Sequence, residues 1–519
     1  MFDSETISNL LEYRLRMSGN SEAIYDFDEN KRYTYNDLDR RSDALAHFLF
    51  DELHMQKGDR MGFCAVNNIA FYDAYFASYK TGVVITTYNC LLKEKELHAL
   101  IENEEPSVIF YTAEFEATIE GLKNAGFKQV FICLDKKAEK GGYDYSELIE
   151  KTYTAKLTPP DISFEDIQML IHTGGTTGKP KAAMMSYRAI FYNTLADQSV
   201  FELTSKDCAI LTLPLFHTAG WNVLNTPLLY AGGRIILIHG FNPDKVLKII
   251  REERPTVCMS VETIYRSLAG HPDFEKVDFS CFRFMITGAA PTGRELLNVY
   301  WNRGVKILNA YGMTEIGPNN ICPPISMMSI EAVREKWNSC GKPAPFNQIR
   351  FLDENGNEVK RGERGELVFT GKLLFSGYWN NPEASDKMLH DGWVRSGDMG
   401  YLDEDGFCYI SGRKKNMFIS GGENIFPQEI EDVIMTIPGI WEACVVGVPD
   451  HKWGEVGRVL IVADPSENVT REKIISKVRE EMSSIKIPKY VSFVDEVPKN
   501  AVGKRDLNLL KELFGKAED

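Results

Sequence analysis

The segment Thr173-Gly174-Gly175-Thr176-Thr177-Gly178-Lys179-Pro180-Lys181 concentrates the residue types that grip phosphate. Glycines let the main chain approach anionic oxygens and turn successive N–H groups into an anion-binding nest. Thr173, Thr176 and Thr177 add hydroxyl donors, and Lys179 and Lys181 add charge. The loop follows the apolar run Met169–His172, which the pattern predicts as a buried strand. A P-loop nucleoside triphosphatase needs Gly-x-x-x-x-Gly-Lys followed by Ser or Thr. Here Pro180 follows Lys179 and no glycine precedes Gly178 at that spacing, so the P-loop reading fails.

Further segments could act with this loop: Tyr311-Gly312-Met313-Thr314-Glu315, Ser396-Gly397-Asp398, Gly412-Arg413-Lys414-Lys415 and Pro498–Lys504. In this order, and over nearly the whole chain, they resemble the adenylate-forming (AMP-binding) superfamily and its acyl-CoA synthetase branch, similar to fatty acyl-CoA ligases. The resemblance implies an ATP-dependent acid–thiol ligase. A carboxylic acid and ATP would give acyl-AMP and pyrophosphate, then acyl-CoA and AMP. ATP, Mg2+ and coenzyme A are the implied cofactors and co-substrates. A carboxylate attacking the α-phosphate must overcome repulsion between anions, so catalysis is mostly charge neutralisation and alignment.

The same resemblance distributes the roles. Glu315 would hold the metal and Thr314 would hydrogen-bond the α-phosphate. Tyr311 would stack on adenine and Asn309 would read its amino edge, with Ala310 and Gly312 beside them. Gly288, Ala289 and Ala290 would pack beside adenine and the acyl carboxylate. Asp398 would accept from both ribose hydroxyls, which suits a carboxylate facing two donors, and Arg413 would support the same ribose. Lys504 would reach the substrate carboxylate and phosphate during adenylation. Lys415 would be the hinge about which a small C-terminal domain rotates, bringing Ser420, Gly421, Gly422 and Glu423 to line a coenzyme A tunnel. Pro214-Leu215-Phe216-His217 resembles the segment at the acyl-site entrance. His217 would line the carboxylate site rather than act as a strong base, because the acid is already ionised at neutral pH. Trp221 stands four residues on, where some long-chain ligases have a tunnel gate; simple packing is the competing reading.

The stretch from Trp221 to Leu229 is mostly apolar and carries no Arg or Lys. A monoacid therefore fits better than a diacid, with a medium- or long-chain fatty acid favoured over an aryl or cinnamic-type acid. A free-standing acyl carrier protein ligase and a luciferase-like oxidase share these motifs. The chain departs from the family pattern at Gly174, where Ser or Thr is common, at Ala182, where Gly is common, and at His172, where an aromatic is usual.

These residues need a frame. The 519 residues, 44% hydrophobic, can bury more than one core. Apolar runs at Val108–Tyr111, Gln129–Cys133, Arg234–Ile238, Phe282–Ile286 and Lys306–Leu308 predict buried strands. Between them lie helices such as Pro243–Arg251, with Asn242 as N-cap. The fold class is α/β: a large N-terminal domain of layered sheets and helices, 1–414, plus a small mobile α+β C-terminal domain, 415–519. In the latter, Pro427–Ile437 predicts a helix and Ala443–Val448 a strand. A net charge of −15 argues against nucleic acid as a partner. The start of the chain lacks a signal-peptide pattern, and no run reaches the roughly 18 apolar residues of a membrane helix. The expectation is a cytoplasmic enzyme with reduced cysteines, acting on small molecules and compatible with peripheral membrane contact and homodimerisation.

Overall fold

Two parallel sheets frame the larger part of the chain in the computed structural model, which describes residues 8–89, 92, 94–138, 141–153, 157–173, 180–499 and 505–516. One sheet orders its strands Val130–Cys133, Val108–Tyr111, Arg60–Cys64, Val84–Thr87 and Ile167–Thr173, all parallel, and closes with antiparallel Lys181–Ser186. The other orders Ile307–Asn309, Phe284–Thr287, Val257–Ser260, Cys208–Leu211, Arg234–Leu237 and Glu22–Asp26 in parallel, with Lys31–Thr34 antiparallel at the edge. Strands covered on both faces carry continuous apolar runs, and Val108–Tyr111 is buried at every position. One large core joins the two sheets through the helix Ala70–Thr81.

The helix Pro243–Glu253 starts as its sequence predicts. Asn242 accepts from the Lys245 N–H, and Pro243 occupies the first turn, where no N–H is needed. Phe282–Ile286 differs from its expected bounds: the strand is Phe284–Thr287. Phe282 is buried but lies in the preceding turn, where its amide donates to the Phe279 carbonyl.

An antiparallel sheet follows, built on Asn347–Leu352, Gly365–Gly371, Trp393–Leu402 and Cys408–Arg413. The smaller C-terminal sheet orders Glu423–Ile425, Phe418–Ser420, Gly454–Ala463 and Ile440–Asp450, with Tyr490–Phe493 parallel to Gly454–Ala463. It has its own core on each face, one with the helices Pro427–Ile434 and Arg471–Glu481, the other with Leu510 of the C-terminal helix. The helix expected to reach Ile437 ends at Ile434, because Met435 caps it ahead of Pro438. The nine described cysteines are free. Among the described residues no helix is long and apolar enough to cross a membrane.

Candidate functional site

The phosphate loop hangs between antiparallel strands whose register sets Thr173 opposite Lys181, closing its neck. Gly174, Gly175, Thr176, Thr177, Gly178 and Lys179 lie outside the described residues. The segment 376–379 runs along the second strand: the Met184 N–H donates to the Gly377 carbonyl and the Trp379 N–H to the Ala182 carbonyl. This carries the Tyr378 ring to 5.1 Å from the Lys181 ammonium. The Tyr378 hydroxyl donates to Glu315 Oε1 at 2.7 Å. Glu315 is buried, so Lys181, Tyr378 and Glu315 converge from three distant segments. Burial first, and then the Glu315 carboxylate, pushes the Tyr378 hydroxyl well above its usual range, which keeps it a neutral donor.

Tyr311 leaves the end of Ile307–Asn309 in an antiparallel bridge with Ile321. Gly312 makes this possible: a Cβ there would lie 2.0 Å from the Pro318 carbonyl oxygen. The Tyr311 hydroxyl donates to Asp398 Oδ2, and its ring lies parallel to Phe369 at 6.1 Å. Adenine stacking would therefore use its opposite face. Asp398 and Arg413 are direct partners on adjacent strands, and Arg413 Nε reaches Asp398 Oδ1 at 2.7 Å. Thr314 is buried beside Glu315 in a short 3-10 turn.

Asn309 is tied to two neighbouring segments. Its Oδ1 accepts from the Thr292 N–H at 3.0 Å and its Nδ2 donates to the Trp337 carbonyl at 3.2 Å. The amide holds the loop after Phe284–Thr287 with one acceptor site and one N–H, which leaves its second N–H and second lone pair. In the same loop Ala289 sits at φ +67. A Cβ-bearing residue in left-handed backbone is strained by about 1–2 kcal/mol, and such strain clusters at functional sites. Ala289 and Ala290 are exposed, while Gly288 is buried close to Met259 and Ala310, whose own N–H donates to the Thr287 carbonyl.

His217 caps the short helix Thr218–Asn222, with Nδ1 accepting from the Ala219 N–H at 3.3 Å. A ring nitrogen that accepts leaves Nε2 as the protonated donor. Trp221 is fully buried against Phe71, Tyr72 and Tyr75, with the Tyr75 ring stacked at 5.4 Å. Trp221 is thus a core side chain in this arrangement, in keeping with the packing reading, and is held by aromatic contacts from the helix Ala70–Thr81.

Lys415 lies in the 3-10 turn Lys414–Asn416, between the antiparallel sheet and the C-terminal sheet. Residues just before it are anchored, Arg413 to Asp398 and Lys414 to the buried Glu366 at 3.2 Å. Gly421 and Gly422, at φ +57 and +87, make the two-residue turn between Phe418–Ser420 and Glu423–Ile425. Both positive φ values fit the primed hairpin turns. In this arrangement Ser420 is buried in the C-terminal sheet, and Gly421, Gly422 and Glu423 are exposed at the hairpin tip. Lys504 lies outside the described residues. Its neighbour Arg505 is held by Glu431 at 2.7 Å.

Sequence reasoning missed Tyr378 and Glu366. Each acts through contacts to distant segments, Tyr378 to Glu315 and Lys181 and Glu366 to Arg395 and Lys414, and no local spacing announces either.

Residues 11–379 match the family described as AMP-binding enzyme, and residues 429–504 match the AMP-binding enzyme C-terminal domain. The chain is 32% identical over 504 residues to a feruloyl-CoA synthase from an Amycolatopsis species, covering 97% of this chain and 98% of the relative. It is 29% identical over 516 residues to the long-chain-fatty-acid–CoA ligase FadD13 of Mycobacterium tuberculosis, covering 98% and 99%. The solved structure of ATP-bound MatB from Rhodopseudomonas palustris matches with a TM-score of 0.86 at 28% identity, over 98% of this chain and 99% of that one. The match along both parts of the chain makes this protein a member of the AMP-binding enzyme family, an ATP-dependent acid–CoA ligase.

Proposed function

We propose that the chain activates an apolar monocarboxylic acid of aryl type, of the kind named for the feruloyl-CoA synthase relative. The observation that carries this reading is the fixed Trp221. His217 caps the helix whose fourth residue is Trp221, so an acid whose carboxylate lies at His217 meets the Trp221 aromatic cage within about one helical turn of chain, ~6 Å. A medium- or long-chain fatty acid is the second reading, favoured by the likeness to FadD13; it requires the Trp221 side chain to leave its aromatic cage.

In the first half-reaction a carboxylate oxygen attacks the α-phosphorus and the bond to pyrophosphate breaks. The acid arrives ionised, so no base is needed. Lys181 and the loop from Thr173 hold phosphates, Asp398 and Arg413 hold the ribose, and Lys504 neutralises charge between the two anions. Glu315 offers one oxygen beyond that bound by Tyr378. One carboxylate plus substrate phosphates suits Mg2+, which would supply charge neutralisation there. Among the described residues no three-ligand His/Cys/Asp/Glu cluster exists to favour another metal. In the second half-reaction the coenzyme A thiolate attacks the acyl carbon and AMP leaves. We place the domain division at Lys415, because the anchors at Arg413 and Lys414 stop the large domain there.

An acid panel scored for pyrophosphate release, with and without coenzyme A, tests this reading. Ferulate and related aryl acids are expected to give the highest kcat/KM, and Trp221→Ala to raise activity toward dodecanoate and longer acids at least about tenfold. Wild-type preference for long-chain acids would overturn the aryl assignment.

A further inference from the structure

His172 breaks the family pattern one residue before the phosphate loop, and the ligase reading gives it no task. Its surroundings are unusually complete. The ring stacks on Tyr88 at 5.4 Å with planes 23° apart. Nδ1 lies 2.9 Å from the Thr87 carbonyl oxygen, and Nε2 lies 2.6 Å from Oε1 of the fully buried Glu104. A carbonyl only accepts, so Nδ1 carries a hydrogen. The short contact to Glu104 needs a second proton, on Nε2 or on the carboxyl. The other Glu104 oxygen accepts from the Thr86 hydroxyl at 2.6 Å. Burial works against a charged imidazole here, but Glu104 outweighs it and raises the His172 pKa.

The contacts continue into the acid end of the site. Thr87, whose carbonyl holds His172, donates its hydroxyl to the Phe216 carbonyl at 3.2 Å. Phe216 immediately precedes His217. One residue thus touches the base of the phosphate loop through its carbonyl and the acid-binding segment through its hydroxyl. Glu104 is tied in turn: Arg60 Nε donates to its carbonyl at 2.6 Å, and Trp379 and Asn380, next to Tyr378, donate to the neighbouring Asn103 carbonyl. The second departure from the family pattern belongs to the same spot, since Ala182 is the cross-strand partner of His172.

We propose that His172 is a positioning residue which, through Thr87 and with Glu104 as its anchor, keys the phosphate loop to the His217 segment so that ATP and the acid are held in register. This deepens the ligase reading and rests on it. In-line attack tolerates little misplacement: an error of about 1 Å can cost on the order of a hundredfold in rate. A loop and a helix cap on two different sheets need a physical link to hold that tolerance, and Thr87 lies between them.

The test uses the full chain with ferulate, or dodecanoate if that proves the better substrate. Three proteins are compared with wild type: Thr87→Val, which removes only the hydroxyl link; His172→Phe with Glu104→Gln, which keeps an aromatic stack and strands no buried carboxylate; and the combination. Equilibrium ATP binding and thermal melting are measured beside steady-state kinetics. Thr87→Val is expected to lower kcat/KM for the acid about three- to tenfold with ATP binding unchanged. The His172/Glu104 variant is expected to weaken ATP binding about tenfold. The combination is expected to lose less than the product of the two, because both cut one chain of contacts. Unchanged kinetics and ATP binding with a lowered melting temperature would make the cluster a purely structural brace and overturn the proposal; strictly multiplicative losses would overturn the link through Thr87. Should the His172 variant fail to fold, Thr87→Val decides alone, an unchanged acid kcat/KM overturning the link. Wild type inactive on every acid would instead sink the ligase reading.

Discussion

Asp398 and Arg413 face each other across adjacent strands, so the strand register itself sets the charged pair. The Tyr311 hydroxyl completes the arrangement from another sheet. Burial raises the Tyr311 pKa well above its ordinary value, and Asp398 raises it further, so the phenol stays a donor. Preorganised donors of this kind need no rearrangement during reaction. Lys504 is different in kind: it would arrive at the site with the C-terminal part of the chain and act on charge that develops only during adenylation. Lys504→Ala is therefore expected to slow pyrophosphate release by at least about a hundredfold, the scale of one lost oxyanion donor, while thioester formation from supplied acyl-adenylate stays within about twofold. Single-turnover assays of the two half-reactions check this, and equal loss in both would refute the assignment.

At the scale of elements, the turn Lys414–Asn416 stands between a pinned strand and a separate sheet. Lys414 shares the buried Glu366 with Arg395, and these two cations hold the Glu366 carboxyl below its usual range against the opposing effect of burial. The proposed hinge at Lys415 follows directly on these anchors. Proline at 415 would fix φ near −65°. Lys415→Pro is expected to leave adenylation within about twofold and to slow thioester formation at least about tenfold, because a hinge needs a φ/ψ change. Loss confined to adenylation, measured by the same split assay, would refute the hinge. The hairpin tip at Gly421–Gly422 is exposed in the present arrangement, and the proposed movement would carry it to coenzyme A.

The whole molecule meets itself where the helix Pro427–Ile434 lies on the larger part. Arg364 pairs with Glu429 at 2.5 Å, and Met435 comes within 2.9 Å of a Cβ built on Gly293. Asp432 lies in this contact, and its carboxyl is pushed up to about 7. Removal from water is the main cause, and Glu431 and Glu429 add to it, while Gln428 and Arg505 oppose it. A carboxyl raised in the folded state holds its proton more tightly there than in the unfolded chain. Its stabilising contribution is full below the free value of 3.8 and is lost as pH rises through about 7. Asp432→Asn is accordingly expected to raise the melting temperature at pH 8 by about 2–4 °C and to change it little at pH 4. Calorimetry at both pH values checks this, and a gain at pH 4 alone would contradict it.

Fold class and the family were legible in sequence because they depend on local order: apolar runs long enough for buried strands, Asn242 ahead of Pro243, glycines and lysines in a fixed succession. What tertiary structure decided is every property set by contact between distant segments. It engaged Asn309 in a brace, buried Trp221 in an aromatic cage, brought Tyr378 to Glu315 and gave His172 both of its partners. A residue type and its spacing state what a side chain can donate, accept or carry; which atom receives it depends on the crossing of sheets whose strands are tens to hundreds of residues apart in the chain.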